Sequence, residues 1–449
     1  MTEQKKAGRA AFLNLGCKVN AYETDAMKLE FERNGYEIVP FEEKADVYVV
    51  NTCTVTNIAD RKSRQMLHRA RSQNPEAVVA AVGCYAQVAG KKLLEDPAVD
   101  LLIGNSEKSR AVELVEAYRS SRKREDILPA IAAEKQFEPL EIDSADGKTR
   151  AYIKVQDGCN QFCTYCIIPY ARGRVRSRDL TQIQEEAAKI AGAGYREIVL
   201  TGIHLASYGV DFGQEDGLLR LILSLSTIEG IRRIRLGSLE PGIITKAFLQ
   251  ALQDDRRFCP HFHLSLQSGC DRTLRRMNRR YTTAEFEEKC EMIRSTFDYP
   301  ALTTDLIVGF PGETEEDFEE TCAFARRIGF SQIHIFKYSR RDGTKAAAMP
   351  DQVPEPEKAR RSAVLSGIEE ELRRAYREKL LGSVEEVLLE EVVRIEDQDW
   401  CVGHNERYVR IGVPAGGAAV PGEMRRIRVL RLAKDLTLLG ELSGETDKS

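Results

Sequence analysis

Between Ala151 and Ser339 six short apolar runs recur, each followed by a polar, helix-prone stretch. They are AYIKVQDG, REIVLTGIH, RRIRLGSLE, HFHLSLQSG, ALTTDLIVGF and QIHIFKYS. A parallel strand reaches its neighbour only through a long crossover, usually a helix. Six such β–α units predict an incomplete parallel barrel, short of the eight that close a full one. Sites on these barrels lie at the carboxyl ends of the strands. Here those ends carry residues 157–166, Gly202 with His204, Ser238 with Glu240, Gln267 with Ser268, and Gly309 to Glu313. Polar and glycine residues recur along one rim, and that rim is the expected site.

Residues 10–118 alternate in the same way. The runs AAFLNLGC, DVYVVNTC and AVVAAVGC are separated by helical stretches, as in a parallel sheet buried on both faces. Each run ends in a cysteine: Cys17, Cys53 and Cys84. Ligands of open parallel sheets bind just beyond the carboxyl ends of the strands, so three thiols would converge on one edge. Single buried cysteines are common in strands. The same structural position in all three runs favours convergence over three unrelated burials.

Residues 119–147 are charged and irregular and read as a linker. Residues 354–381 form a long charged helix, read as a connector, and short strands with glycine turns follow Gly382. The chain is therefore expected to be α/β. Its parts are a parallel N-terminal domain (8–120), a partial (β/α)6 barrel (145–375) and a small β-barrel (382–445). Three domains suit 449 residues at about 150 each.

No apolar run approaches the roughly 18 residues of a membrane helix. The polar start lacks a secretory core, and the expected location is cytoplasmic. In that reducing compartment, clusters among the eleven cysteines read as metal-binding or catalytic rather than as disulfides. The six histidines include no HExxH pattern, which argues against histidine-based zinc catalysis. A net charge of −4 argues against indiscriminate nucleic-acid binding but permits local basic patches.

Cys159-x-x-x-Cys163-x-x-Cys166 follows the first barrel strand directly. Three thiolates on one short loop can hold three irons of a cubane 4Fe–4S cluster and leave the fourth open. The amine and carboxylate of S-adenosylmethionine can fill that position and bring radical chemistry. A structural zinc site is the rival, but no fourth ligand lies nearby in sequence. The remaining cysteines, Cys259, Cys270, Cys290, Cys322 and Cys401, show no ligand spacing and read as packing.

Three arginine groups stand out: Arg172 to Arg178 in ARGRVRSR, Arg272 to Arg280 in DRTLRRMNRR, and Arg425 to Arg431. Such groups neutralise phosphates, although any single run is ordinarily a solvated face. Arg174, Arg176, Arg276, Arg425 and Arg428 are the RNA-contact candidates. Tyr408 suits either a base-stacking or a core role.

The segments LGCKVNAYET, GCNQFCTYCIIPYARGRVRSR and HLSLQSGCDRTLRRMNRRYT carry a resemblance. With the three-cysteine domain and the terminal barrel, nearly the whole chain resembles the methylthiotransferases, a branch of the radical S-adenosylmethionine enzymes. Within it, the motifs look like those of the group that modifies threonylcarbamoyladenosine in tRNA. The isopentenyladenosine group usually carries Met, Glu and Ser where this chain has Val19, Val175 and Cys270. The group acting on a ribosomal protein usually reads Pro-Lys where Lys18-Val19 follow Cys17.

The resemblance implies that Cys17, Cys53 and Cys84 hold an auxiliary 4Fe–4S cluster carrying sulfur, and that the terminal barrel is an RNA-binding TRAM domain. It implies two molecules of S-adenosylmethionine, one as methyl donor and one as radical source, and a methylthio group placed on C2 of an adenine beside the anticodon. It also implies tRNA, an electron donor such as flavodoxin or ferredoxin, and a sulfur source as partners, with no membrane. The Gly-Gly-Glu motif of the wider superfamily is replaced by LTGIHLASYG. The cofactor-binding candidates Gly202, Glu240 and Gln267 therefore rest on their positions at strand ends. The alternatives are isopentenyladenosine tRNA or a ribosomal protein side chain as substrate, a radical maturase of another protein, and a non-catalytic RNA-binding protein with structural metal.

Overall fold

The computed structural model describes residues 7–143, 149–417 and 419–444. Its N-terminal sheet contains β1 (Gly8–Asn14), β2 (Tyr36–Val39), β3 (Val47–Thr52), β4 (Val78–Gly83), β5 (Leu101–Ile103) and β6 (Glu125–Ile127). All neighbours pair in parallel, in the order β2-β1-β3-β4-β5-β6. The pleat sends alternate residues to opposite faces. Tyr48, Val50, Val79 and Ala81 join one apolar cluster, while Val47, Val49, Val78, Ala80 and Val82 join the other. Leu67 of α2 (Asn57–Gln73) and Ala86 of α3 (Cys84–Ala89) cover the first face. Phe31 of α1 (Lys18–Arg33) and Val115 of α4 (Ala111–Ser121) cover the second. Both faces are sealed, which explains why β3 and β4 are apolar along most of their length.

The second unit begins with β7 (Arg150–Lys154), then the short ladder of β8 (Gln156–Asp157) with β9 (Arg176–Ser177), flanking α5 (Ile168–Arg172). Its other strands are β10 (Glu197–Thr201), β11 (Arg233–Leu236), β12 (His261–His263), β13 (Ala301–Val308) and β14 (Gln332–Lys337). The triplets β7-β10-β11 and β12-β13-β14 are parallel and are joined by single bridges at Ile234–Phe258 and Leu239–Leu264. This is the six-stranded partial barrel. The helix Glu355–Glu378 does more than connect: Leu365 and Ile368 enter the barrel core.

The last unit is a closed barrel of β15 (Val384–Ile395), β16 (Gln398–Asn405), β17 (Arg410–Pro414), β18 (Met424–Leu432) and β19 (Leu438–Leu442). It docks on the amino-terminal side of the partial barrel. Arg235 donates to the carbonyls of Asn405 and Glu406 at 3.0 and 2.7 Å, and Arg233 to that of Glu386 at 2.6 Å.

The described part of the segment read as a linker is built into the fold; residues 144–147 lie outside the described residues. Residues 125–127 add β6 to the sheet edge, and Leu140 and Ile142 are buried in the barrel core. Tyr22 of α1 reaches across to donate to the Leu140 carbonyl at 2.6 Å and to Glu186 at 2.9 Å. The apolar residues of this segment are too widely spaced to show a period, so in sequence its charge masks its packing. No helix among the described residues is long and apolar enough to cross a membrane.

Candidate functional site

The Cys159 loop starts where β8 ends. Gly158 has φ +71°, and a Cβ there would stand 1.8 Å from the Arg174 carbonyl oxygen, so glycine alone fits. The loop is pinned from both sides. Cys159 N–H donates to the Gly173 carbonyl at 3.0 Å, Thr164 N–H to the Met277 carbonyl at 3.0 Å, and Thr164 Oγ1–H to the Arg276 carbonyl at 2.8 Å. Cys163 is buried, and Cys159 and Cys166 are partly exposed. All three border a cavity of about 150 Å³ whose walls include His204, Ser238, Glu240, Gln267 and Arg279.

Glu240 organises that wall. It accepts from Gln161 Nε2 at 2.9 Å, meets His204 Nε2 at 3.0 Å and pairs with Arg279 at 3.2 Å. Burial alone would raise its carboxyl, but His204 and Arg279 outweigh burial and hold it below the usual value. Arg279 also donates to Cys163 Sγ at 3.3 Å. Burial pushes the Cys159 thiol up to about 11 and Cys166 to about 12, with Cys163 adding to both.

The second thiol set lies at the ends of β1, β3 and β4, beside the point where the strand order reverses. Cys17 caps α1, Cys53 follows β3 and Cys84 opens α3. A Cβ on Gly16 would stand 2.9 Å from Cys53 Cβ and 3.0 Å from its Sγ, so the turn leaves no room for a side chain. Cys53 and Cys84 are buried, while Cys17 is exposed. Burial lifts Cys53 to about 11, and the neighbouring Cys84 and Cys17 raise it further.

Arg172 ties the second set to the segment that carries the first. It closes α5, the helix that follows the Cys159 loop, and is fully buried. Its Nε donates to Cys84 Sγ at 3.2 Å, Nη1 to Glu23 at 2.9 Å and Asp157 at 3.1 Å, and Nη2 to Asn20 at 2.7 Å. Lys108 and Lys154 lie 3.1 and 2.8 Å from Glu23, and Lys154 lies 2.7 Å from Asp157. Burial opposes the charged forms of Glu23 and Asp157, yet these cations hold both carboxyls well below the usual range. Domain contact and thiol environment thus share one buried ion cluster.

That cluster corrects the reading of ARGRVRSR as an RNA-facing run. Arg172, Arg176 and Arg178 are buried. Arg176 donates to the carbonyls of Arg172 and Arg174 at 2.9 and 3.1 Å, and Arg178 pairs with Glu186. Arg174 alone is exposed, its guanidinium 4.6 Å from the Phe162 ring. In the second group Arg272 and Arg276 both pair with Asp317, at 2.6 and 2.8 Å, and Arg279 belongs to the thiol wall. In the small barrel Arg425 pairs with Glu423 at 2.5 Å and Arg431 with Glu396 at 2.8 Å, while Arg428 is exposed on β18. Arginine density in sequence does not distinguish buried counter-ions from surface charge.

Among the cofactor candidates, Glu240 and Gln267 face the cavity. Gly202 follows β10 and lies against Gln156, and its neighbours Ile203 and His204 supply the wall. The role of Arg279 was invisible in sequence because its thiol partner lies 116 residues away. Tyr408 is no surface platform: it stacks on His404 at 4.5 Å with Arg150 and Arg235 each 5.0 Å from its ring. Cys259, Cys270, Cys290, Cys322 and Cys401 are all buried. A larger cavity of about 440 Å³ beside Tyr299 and Tyr376 has no thiol or carboxylate in its walls.

Residues 9–104 match the family described as Uncharacterized protein family UPF0004, and residues 153–325 match the Radical SAM superfamily. The threonylcarbamoyladenosine tRNA methylthiotransferase MtaB of Bacillus subtilis is 40% identical over 94% of this chain and 93% of its own. The tRNA-2-methylthio-N(6)-dimethylallyladenosine synthase of Pelotomaculum thermopropionicum is 36% identical over 84% and 85%. Among solved structures, the radical S-adenosylmethionine methyltransferase TsrM of Kitasatospora setae superposes with a TM-score of 0.57 at 16% identity. That likeness, over 75% of this chain and 76% of TsrM, is one of fold.

Proposed function

The chain belongs to the tRNA methylthiotransferases of the radical S-adenosylmethionine superfamily, and we propose that it replaces the C2 hydrogen of threonylcarbamoyladenosine, next to the anticodon, with a methylthio group. The observation that carries this reading is the pair of three-thiol sets, one at the barrel rim and one at the sheet edge, with Arg172 bonded to Cys84 of the second and to Asp157 just before the loop of the first. Adenine C2 bears no acidic proton and no leaving group, so polar catalysis has little to act on.

The donor sets fit two iron–sulfur clusters. Each set has three thiols, one fewer than the four that fully ligate a cubane; the first three border one cavity, and in the second set Gly16 keeps side-chain atoms away from Cys53 Sγ. We assign Cys159, Cys163 and Cys166 to one cluster and Cys17, Cys53 and Cys84 to the other. When bound, the clusters and S-adenosylmethionine supply the one-electron chemistry, the methyl group and the sulfur. The protein's own part is charge and position. Glu240, held by His204, Gln161 and Arg279, presents a fixed carboxylate to an ammonium or to ribose hydroxyls in the 150 Å³ cavity. Ser238 and Gln267 add polar groups beside it. Arg279 and Arg172 place donors on Cys163 and Cys84, and such hydrogen bonds tune a cluster's potential.

Arg174 and Arg428, exposed on separate units, are the best placed of the candidate phosphate contacts. An electron donor such as flavodoxin or ferredoxin and a sulfur source complete the proposed partners. An isopentenyl substrate is the second reading, favoured by the 36% identity to the dimethylallyladenosine enzyme. The deciding experiment incubates reconstituted enzyme with tRNAs bearing each modification, and with unmodified tRNA, and identifies the nucleosides by mass spectrometry. Methylthio product on the threonylcarbamoyl substrate is expected. Product on the isopentenyl substrate alone overturns the assignment.

A further inference from the structure

A second cavity, of about 210 Å³, opens inside the partial barrel and shares Ser238 with the thiol cavity. Its walls come from all three units. Lys18, the residue after Cys17, enters from α1; His263, Asp305, Gln332 and His334 from β12, β13 and β14; Tyr408 from the small barrel. Lys18 Nζ lies 5.9 Å from the Tyr408 ring and has no ion pair among the described residues. Asp305 is partly exposed to the cavity, with His263 Nε2 at 3.4 Å. Burial holds His334 below its usual value despite Asp305, which leaves a neutral imidazole able to donate and accept. One unpaired cation, one accepting carboxylate and neutral polar groups thus surround a space next to the reaction site.

We propose that this cavity receives the N6 substituent of the substrate adenine, with Lys18 pairing with its carboxylate and Asp305 accepting from its N–H and hydroxyl groups. The proposal rests on the threonylcarbamoyl reading above and deepens it. A threonylcarbamoyl group carries one carboxylate, one hydroxyl and a urea, which answer this wall group for group. An isopentenyl group would leave Lys18 and Asp305 desolvated and unmatched, and a site built for polar groups rejects an analogue that lacks them. His263, Asp305 and His334 also have ligand atoms within 4.8 Å of one another, a spacing a divalent cation could use. The cations gathered at Tyr408, namely Lys18, Arg150 and Arg235, oppose that occupant.

The test uses anticodon stem-loops carrying threonylcarbamoyladenosine, its carboxyl methyl ester, or isopentenyladenosine, with full-length reconstituted enzyme. Both kcat/KM and Kd are measured for wild type, Lys18→Met and Asp305→Asn. In wild type, esterification should cost about 10- to 100-fold in kcat/KM and weaken Kd, the range typical of losing one charged partner. Lys18→Met should lose a similar factor on the acid and little more on the ester. Asp305→Asn should weaken binding of acid and ester alike. An ester used as well as the acid by wild type overturns the proposal while leaving the substrate assignment intact. Equal losses on acid and ester in Lys18→Met overturn it too, as does a bound divalent metal in wild type that His334→Ala removes. The wild-type acid-versus-ester comparison stands even if Lys18→Met, beside Cys17, fails to load iron. Product on isopentenyl RNA alone would instead overturn the underlying substrate assignment.

Discussion

Arg172 Nε lies 3.2 Å from Cys84 Sγ, although the two residues belong to different units and stand 88 positions apart. The same guanidinium neutralises Glu23 and Asp157 in a buried interface. Removing one partner from a buried ion cluster costs about 3–5 kcal/mol, because the remaining charges stay desolvated. Arg172→Leu should therefore lower the urea midpoint of the metal-free protein markedly, and Arg172→Lys should lower it less. A midpoint unchanged in Arg172→Leu would mean that the cluster does not hold the two units together.

The two thiol sets should have separable roles. Replacing Cys159, Cys163 and Cys166 with Ala should leave about four irons of roughly eight and abolish S-adenosylmethionine cleavage. Replacing Cys17, Cys53 and Cys84 should also leave about four irons, with cleavage retained and sulfur insertion lost. Full methylthiolation by the second variant would refute the assignment of that set.

RNA affinity should depend on exposed arginines and not on the buried ones. Arg428→Ala should reduce the slope of log K against log salt by about 1, as expected for one lost phosphate contact. Arg176→Ala should act on stability instead, because Arg176 holds the carbonyls of Arg172 and Arg174. Equal salt slopes for Arg428→Ala and wild type would move the RNA surface away from β18.

Glu197 provides an acid-sensitive anchor for the small barrel. Burial alone would raise its carboxyl, but Arg235 at 2.7 Å, with Arg150 and Arg233, holds it at about 2. A carboxyl whose folded value is depressed stabilises the fold above its unfolded value, near 4.3. That stabilisation is lost as the pH falls from there toward about 2. Glu197→Gln should cost on the order of 3 kcal/mol at neutral pH and flatten acid unfolding of the metal-free protein over this window. The check is circular dichroism against pH. A variant with the wild-type acid midpoint would show that Arg235 is satisfied by the Asn405 and Glu406 carbonyls alone.

Much of this protein is legible in local pattern. Continuous β-branched runs such as DVYVVNTC and AVVAAVGC announce strands covered on both faces, and each forms a parallel strand with a cysteine at its end. The six runs after Ala151 become six barrel strands because a β–α alternation has few compact solutions. The Cys159, Cys163 and Cys166 spacing is itself local, so one loop carries the whole signal.

What tertiary structure decided was the partner of each charge. ARGRVRSR reads as a basic face, yet Glu23 and Asp157 from two different units draw Arg172 inside, and Glu186 does the same to Arg178. Arg279 reads as a phosphate ligand but ends on Cys163. Lys18 carries no motif of its own, and only the approach of α1 to β12–β14 and Tyr408 makes it part of a cavity. The physical reason is one of range. Periodicity records which side of a strand or helix faces apolar neighbours, a property of the backbone over a few residues. The environment of an arginine, lysine or thiol depends on groups brought within 3 to 4 Å by packing, and the sequence separation of those groups carries no trace of it.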